Sequence, residues 1–319
     1  MLRETLTVPD TAVPTFAELV GSLAGNSPGP RLAPRTAEGW VVDAPTRFTV
    51  QPLTPLIGAV IDGVSMADPV DDELFHQLND ALLEWKVIFF RGQDITSDQH
   101  TAFAAHWGQL EAHPFIKRLV DQPDAAEIVR LEKGPKNSGY ENVWHSDVTW
   151  RECPSLGSVL RAIEVPELGG DTLWADMGAA YDGLTPAMKD YLDGKTAVHD
   201  WVPTFGRGMD EATRTELRVD FPEVEHPVVR IHPETGRKTL YVNRAFTQRV
   251  VGLDRESSDE LLQFLYSRAS FPEYQCRFHW APGDVAFWDN RSSQHYASSD
   301  YAPARRVMER ITVTGDRPF

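Results

Sequence analysis

The chain has 319 residues, 41% hydrophobic and 24% charged, enough to bury a sizeable core as one large domain or two ordinary ones. Forty-seven acidic against 31 basic residues give a formal net charge of −16, a field that repels phosphate backbones and, without a basic patch, argues against a nucleic-acid partner. Two cysteines, Cys153 and Cys276, make neither a disulfide framework nor a CxxC metal knuckle. No apolar run approaches the roughly 20 residues needed to cross a bilayer, and the N-terminus lacks a basic-then-apolar leader pattern. The expectation is a cytoplasmic protein with no membrane partner.

Residues 1–47 read as an N-terminal extension, rich in Pro, Gly, Thr and Ala ("NSPGPRLAPRTAEGW") with one weak helical stretch, "TFAELVGSLAG". Residues 48–319 then read as a single domain. "RFTVQPL" and "IGAVIDGVSM" have the character of short strands. "PVDDELFHQLNDALLEWKV" predicts a helix with Leu74, Leu78, Leu82 and Leu83 on one face and Asp71 and Asp72 at its N-terminal end. The all-apolar "VIFFRG" predicts a strand buried on both faces. "TSDQHTAFAAHWGQL" predicts a second helix capped at Thr96 or Ser97.

Short strand-like stretches dominate from there, interrupted by one helical insert at "MGAAYDGLTPAMKDYLDG" and another at "SSDELLQFLYSRA". "CRFHWAPGDVAFWDN" and "RVMERITVTGD" close the chain as strands around a Pro-Gly-Asp turn. The pattern is mainly β with surrounding helices, a barrel or jelly roll rather than a doubly wound parallel sheet. There is no internal repeat and no GxGxxG, P-loop, HExxH or GxSxG pattern.

One segment carries metal-binding character. In "ENVWHSDVTW", His145 and Asp147 are two apart, so in a strand both side chains leave the same face. That pair is either two ligands of one metal or a polar spot on a strand, since H-x-D arises by accident in many chains. An imidazole and a carboxylate plus a distant histidine would make a facial triad, which leaves coordination positions open for oxygen chemistry where a structural zinc site would fill them. His295 in "FWDNRSSQHYA" is the candidate third ligand. In "RRVMER", Arg306 and Arg310 share a face if the segment is a strand, and an arginine fork suits a carboxylate. Thr172 in "GGDTLWAD" offers a hydroxyl to the same group.

Taken together and in this order, "WHSD", "GGDTLWAD", "YVNRAFTQRV", "FWDNRSSQHYA" and "RRVMERITVTGDRPF" resemble the taurine/2,4-dichlorophenoxyacetate (TauD/TfdA) family of Fe(II)- and 2-oxoglutarate-dependent dioxygenases. The resemblance runs from about residue 48 to the C-terminus. It implies a double-stranded β-helix, a cupin-like jelly roll. It also implies His145, Asp147 and His295 as iron ligands, and O2 and 2-oxoglutarate as co-substrates. Thr172 and Arg310 would then hold the distal carboxylate of 2-oxoglutarate, with Arg306 close by.

For the primary substrate the resemblance implies His113 of "EAHPF" at an acidic head group, Thr204 and Phe205 of "VHDWVPTF", Phe246 of "NRAF", and the backbone of Val148. Two positions depart from the taurine enzymes: Ile116 and Glu141 stand where those have a tyrosine and an asparagine, which puts taurine itself in question. The implied activity is hydroxylation of a small anionic compound, a sulfonate, alkyl sulfate or aryloxyalkanoate, with succinate and CO2 as co-products. The same chemistry on an amino acid or natural-product intermediate is the alternative, and a non-catalytic metal scaffold is the third reading. Because Asp147 occupies the carboxylate position, hydroxylation is favoured over halogenation. Family members are often dimers or tetramers, so a homo-oligomer is expected.

Overall fold

The computed structural model describes residues 45–113, 115, 127–134 and 142–319. The predicted helix at "TFAELVGSLAG", and both Ile116 and Glu141, lie outside them. Strands β1 (Thr49–Pro52) and β2 (Ala59–Asp62) form an antiparallel hairpin. Helix α1 (Asp72–Trp85) starts where the Asp71 carboxylate accepts the Leu74 N–H, and Asp72 and Glu73 sit in its positive first turn. Its buried stripe is Leu74, Leu78, Ala81, Leu82 and Trp85. Leu83, expected in that stripe, is only half-buried, because the 100° step carries it past the packed face and Trp85 completes it.

Strand β3 (Val87–Phe90) is buried at every position, as its unbroken apolar run predicts. Helix α2 (Ser97–Ala105) opens on a reciprocal capping box between Thr96 and Gln99. Strands β4 (Ile128–Lys133), β5 (Ser155–Glu164) and β6 (Thr172–Asp176) follow. The next helical insert is two helices, α3 (Met177–Asp182) and α4 (Pro186–Leu192). They separate because Thr185 caps the second by accepting the Met188 N–H, and Pro186 stands at its start where no N–H is needed.

Next come β7 (Thr196–His199), α5 (Val202–Phe205), α6 (Glu211–Asp220) and strands β8 (Val224–Pro227), β9 (Val229–Ile231), β10 (Lys238–Leu240) and β11 (Thr247–Val250). Helix α6 carries no apolar stripe, only Leu217 being buried, and it starts where the Asp210 side chain accepts the Thr213 N–H. Helix α7 (Arg255–Ser267) and strands β12 (Gln275–Phe278), β13 (Val285–Asp289), β14 (Ser293–Ala297) and β15 (Arg306–Thr314) complete the chain.

A seven-stranded sheet in the order β1-β2-β3-β13-β5-β15-β4 packs against a three-stranded sheet in the order β12-β6-β14, which is the jelly roll. The Pro-Gly-Asp turn does not close a hairpin. It carries the chain from β12 in the small sheet to β13 in the large one. The core between the sheets is aromatic: Phe89 of β3 stacks on Phe278 of β12 at 4.0 Å, and Trp174 of β6 meets Phe89 edge-on at 5.2 Å. A second core, including Leu78, Leu82 and Phe103, joins α1 and α2 to the other face of the large sheet. β5 and β13 approach so closely at Gly157 that a Cβ there would lie 2.5 Å from the Trp288 carbonyl oxygen.

Helix α2 buries His100 completely, with Nε2 3.2 Å from the Val159 carbonyl oxygen. Burial pushes its imidazole down to about 4. In the unfolded chain the ring takes up its proton near pH 6.5, so the unfolded state binds more protons between those values. Stability is therefore full above pH 6.5 and falls as pH drops toward 4, by up to about 3 kcal/mol from this residue. Urea midpoints measured from pH 7 to 4 are expected to fall less steeply for His100→Gln than for the natural chain.

Candidate metal centre and the adjoining cleft

β14 positions the first element of the site. His145 and His295 pair as an isolated bridge, each backbone N–H donating to the other's carbonyl, at 3.0 and 2.8 Å. Asp147 is not on a strand, contrary to the i, i+2 expectation. It opens a turn over residues 147–150 in which Val148 has φ 47°. A β-branched residue in the left-handed region costs on the order of 1–3 kcal/mol and persists only when its surroundings impose it. Here Arg151 N–H donates to the Val148 carbonyl at 2.9 Å, and the Val148 side chain is buried beside Trp150 and Phe246.

The bridge and the turn bring one ligating atom each of His145, Asp147 and His295 within 4.8 Å of one another. Among the described residues no other such group of three exists. The Nε2 atoms of His145 and His295 lie 4.0 and 3.9 Å from Asp147 Oδ1. His145 Nδ1 lies 2.8 Å from the Val143 carbonyl oxygen. A carbonyl only accepts, so in the neutral ring Nδ1 carries the proton and Nε2 presents its lone pair to the cluster.

Burial, then the charge of the neighbouring His145, holds His295 well below the ordinary imidazole range. At Asp147 burial alone would raise the carboxyl pKa. The Arg310 guanidinium, followed by the two imidazoles and the Ser158 hydroxyl, outweighs it and keeps the carboxylate ionised. Two imidazoles and one carboxylate, all buried or nearly so, are the donor set of a facial-triad iron site, and the residues fit that metal.

Beside the triad a cleft is lined by His145, His295, Thr172, Arg306, Arg310 and residues of β4, β5 and the β14–β15 loop. Arg306 and Arg310 share a face of β15, but they part ways. Arg306 Nη2 is 3.4 Å from Thr172 Oγ1, whereas Arg310 Nη1 donates to Asp147 Oδ1 at 2.7 Å. Thr172 thus has Arg306 beside it, while the buried Asp147 carboxylate draws Arg310 to itself. Thr172 Oγ1 also accepts the Trp280 indole N–H at 3.0 Å, which leaves the hydroxyl proton to donate.

On the other side of His145 an aromatic wall forms. Phe246 lies edge-on to the His145 ring at 6.3 Å and stacks with Phe205 at 6.0 Å. Phe205 in turn meets the buried His113 ring at 5.2 Å. Burial, then the charges of Arg310 and Arg151, pushes His113 down to about 3, so it faces this wall as a neutral ring. Thr204 stands apart: it is exposed, and its hydroxyl donates to the Ala245 carbonyl at 2.8 Å, tying α5 to that loop. Residues the sequence did not single out also reach the site: Ser158, Asn290 and Trp280 by hydrogen bonds, Lys133 and Tyr301 by lining the cleft. Asn290 sits inside a motif already noted; Ser158 has no sequence signal at all.

The "Taurine catabolism dioxygenase TauD, TfdA family" profile matches residues 49–312. An alkylsulfatase of Acinetobacter baylyi is 36% identical over 284 residues, 86% of this chain and 88% of that one. An α-ketoglutarate-dependent sulfate ester dioxygenase of Pseudomonas putida is 36% identical over 84% of this chain and 90% of its own. The crystal structure of a taurine dioxygenase from Burkholderia xenovorans superposes with a TM-score of 0.73 at 34% identity, covering 85% of this chain and 92% of that one. Fold and donor set together define a jelly-roll oxygenase. The chain belongs to the TauD/TfdA family, and it is an α-ketoglutarate-dependent dioxygenase that uses Fe(II), 2-oxoglutarate and O2. Among the described residues no helix is long and apolar enough to cross a membrane.

In the metal-free protein Arg310 is the countercharge that keeps buried Asp147 ionised. Arg310→Met strands that carboxylate and is expected to destabilise the chelator-treated protein by about 3–5 kcal/mol. Urea unfolding in excess EDTA reads this directly. An unchanged midpoint would mean the pair contributes nothing.

Proposed function

We propose that this dioxygenase hydroxylates the carbon next to the oxygen of a small alkyl sulfate ester, releasing inorganic sulfate. The observation that carries the reading is an apolar aromatic wall, Phe246 and Phe205, placed against His145 while Arg310 lies on the opposite donor of the same triad. An alkyl chain with an anionic head needs that combination. Two relatives at 36% identity whose names specify sulfate esters support it.

In this reading His145, Asp147 and His295 hold Fe(II), which with 2-oxoglutarate and O2 supplies the oxidising power and yields succinate and CO2. Arg306 and Thr172 take the distal carboxylate of 2-oxoglutarate: the guanidinium supplies charge and the free Thr172 proton a second hydrogen bond. With Asp147 engaged by a cation, Arg310 is left as a donor for the anionic head. Neutral His113 can hydrogen-bond that head without adding charge, and Val148 packs behind it. Phe205 and Phe246 exclude water and hold the alkyl chain so that its first carbon is the one exposed to oxidation. The hydroxylated carbon then carries both a hydroxyl and a sulfate. The C–O bond to sulfate breaks, the hydroxyl proton leaves, and an aldehyde remains.

The same reading places the activity in one domain spanning residues 48–319, working as a homo-oligomer on small molecules in a reducing cytoplasm where ferrous iron and both thiols persist. Size-exclusion chromatography with light scattering tests the assembly.

Purified protein supplied with Fe(II), ascorbate and 2-oxoglutarate is expected to form succinate and inorganic sulfate in equal amounts from an alkyl sulfate. Sulfonates, aryloxy acids and amino acids complete the panel, and succinate stimulated only by one of those would overturn the sulfate-ester reading. His145→Ala is expected to abolish turnover. Arg306→Met is expected to raise the KM for 2-oxoglutarate by about 100-fold or more, the loss of a charge-assisted pair.

A further inference from the structure

Asp147 enters the cluster from a turn, so no strand ladder fixes it. An amide side chain holds its backbone. Asn290 Oδ1 accepts the backbone N–H of Asp147 at 3.1 Å and the Trp288 indole N–H at 3.0 Å. Both partners can only donate, so the amide cannot be turned over, and Nδ2 must face the other way. There it donates to Ser155 Oγ at 3.0 Å and lies 3.4 Å from Asp147 Oδ2. The Asn290 backbone is itself held to β5, its N–H donating to the Leu156 carbonyl at 2.9 Å.

The two carboxylate oxygens are thereby divided. Oδ2 accepts the Ser158 hydroxyl at 2.8 Å and faces Asn290 Nδ2. Oδ1 faces Arg310 at 2.7 Å and the Nε2 atoms of both histidines at 3.9 and 4.0 Å. We propose that Asn290 and Ser158 are positioning residues that hold Oδ2 back, so that Asp147 binds the metal through Oδ1 alone. The inference rests on the triad being the metal centre. Its consequence is a count of positions. A carboxylate bound through both oxygens would occupy one more coordination position, and three are wanted for a chelating co-substrate and O2. Neither residue touches the metal; each acts through Asp147.

Mn(II) titration of the full chain, with water-proton relaxation as readout, tests this without turnover. Affinity is expected to weaken about tenfold in Ser158→Ala and about 10- to 100-fold in Asn290→Ala. Relaxivity per bound ion is expected to drop by about a third, as one of three water positions is lost to Oδ2. A merely structural role would lower the melting temperature of the metal-free variants and leave relaxivity per bound ion unchanged, which would overturn the proposal. Ser158→Ala removes a single hydroxyl and decides the matter should Asn290→Ala not fold. If the natural chain binds Mn(II) no better than His145→Ala, the metal centre itself falls and this proposal with it.

Discussion

The site depends on two backbone hydrogen bonds, exchanged between His145 and His295. They belong to no extended ladder, yet they dock an irregular segment against β14 of the small sheet. Backbone pairing sets the spacing of the two imidazoles before any side-chain interaction is considered, and it brings their rings to 4.1 Å between centroids. The turn that follows must then deliver a carboxylate to the same place. It does so at the expense of a left-handed valine, a strain that packing and hydrogen bonds around residues 147–151 sustain.

Charge is balanced locally, not globally. A chain with formal net charge −16 buries an anionic Asp147 against the cation Arg310, and buries the cation Arg306 on the same strand as Arg310. Each buried charge has a partner of opposite sign or a hydrogen-bonding hydroxyl, which is the condition for keeping it in a protein interior at all. The two arginines, four residues apart on one strand, serve different partners because one of them lies within reach of the buried carboxylate and the other of Thr172. Spacing on a strand told that they share a face; it could not tell which would be captured.

Much of the fold was legible where a single physical rule dominates. The unbroken apolar run of β3, the acid-capped α1 and the Thr96 cap of α2 follow from burial and helix-end chemistry, and all three stand where the sequence puts them. The rule failed where partners come from afar. Helix α6 has no apolar stripe to read, and the Pro-Gly-Asp turn joins strands of different sheets instead of neighbours. In the site, His145, Asp147 and His295 were findable from residue type and order. The route by which they meet, a bridge and a turn, was not, because tertiary hydrogen bonds override the local extended pattern. Ser158 was invisible for the same reason: a serine in an apolar strand means nothing until the carboxylate opposite it is known.

The stacked pair Phe89 and Phe278 has a role beyond filling space. One ring belongs to the large sheet and the other to the small one, as do Arg306 and Thr172. Two parallel aromatic planes in van der Waals contact resist compression, so the stack acts as a gauge block that sets the gap between the layers. The width of the cleft beside Thr172 and Arg306 is thus calibrated by residues that do not line it. Relatives that thin or thicken this spacer would retune the cleft while every polar group in it stayed the same.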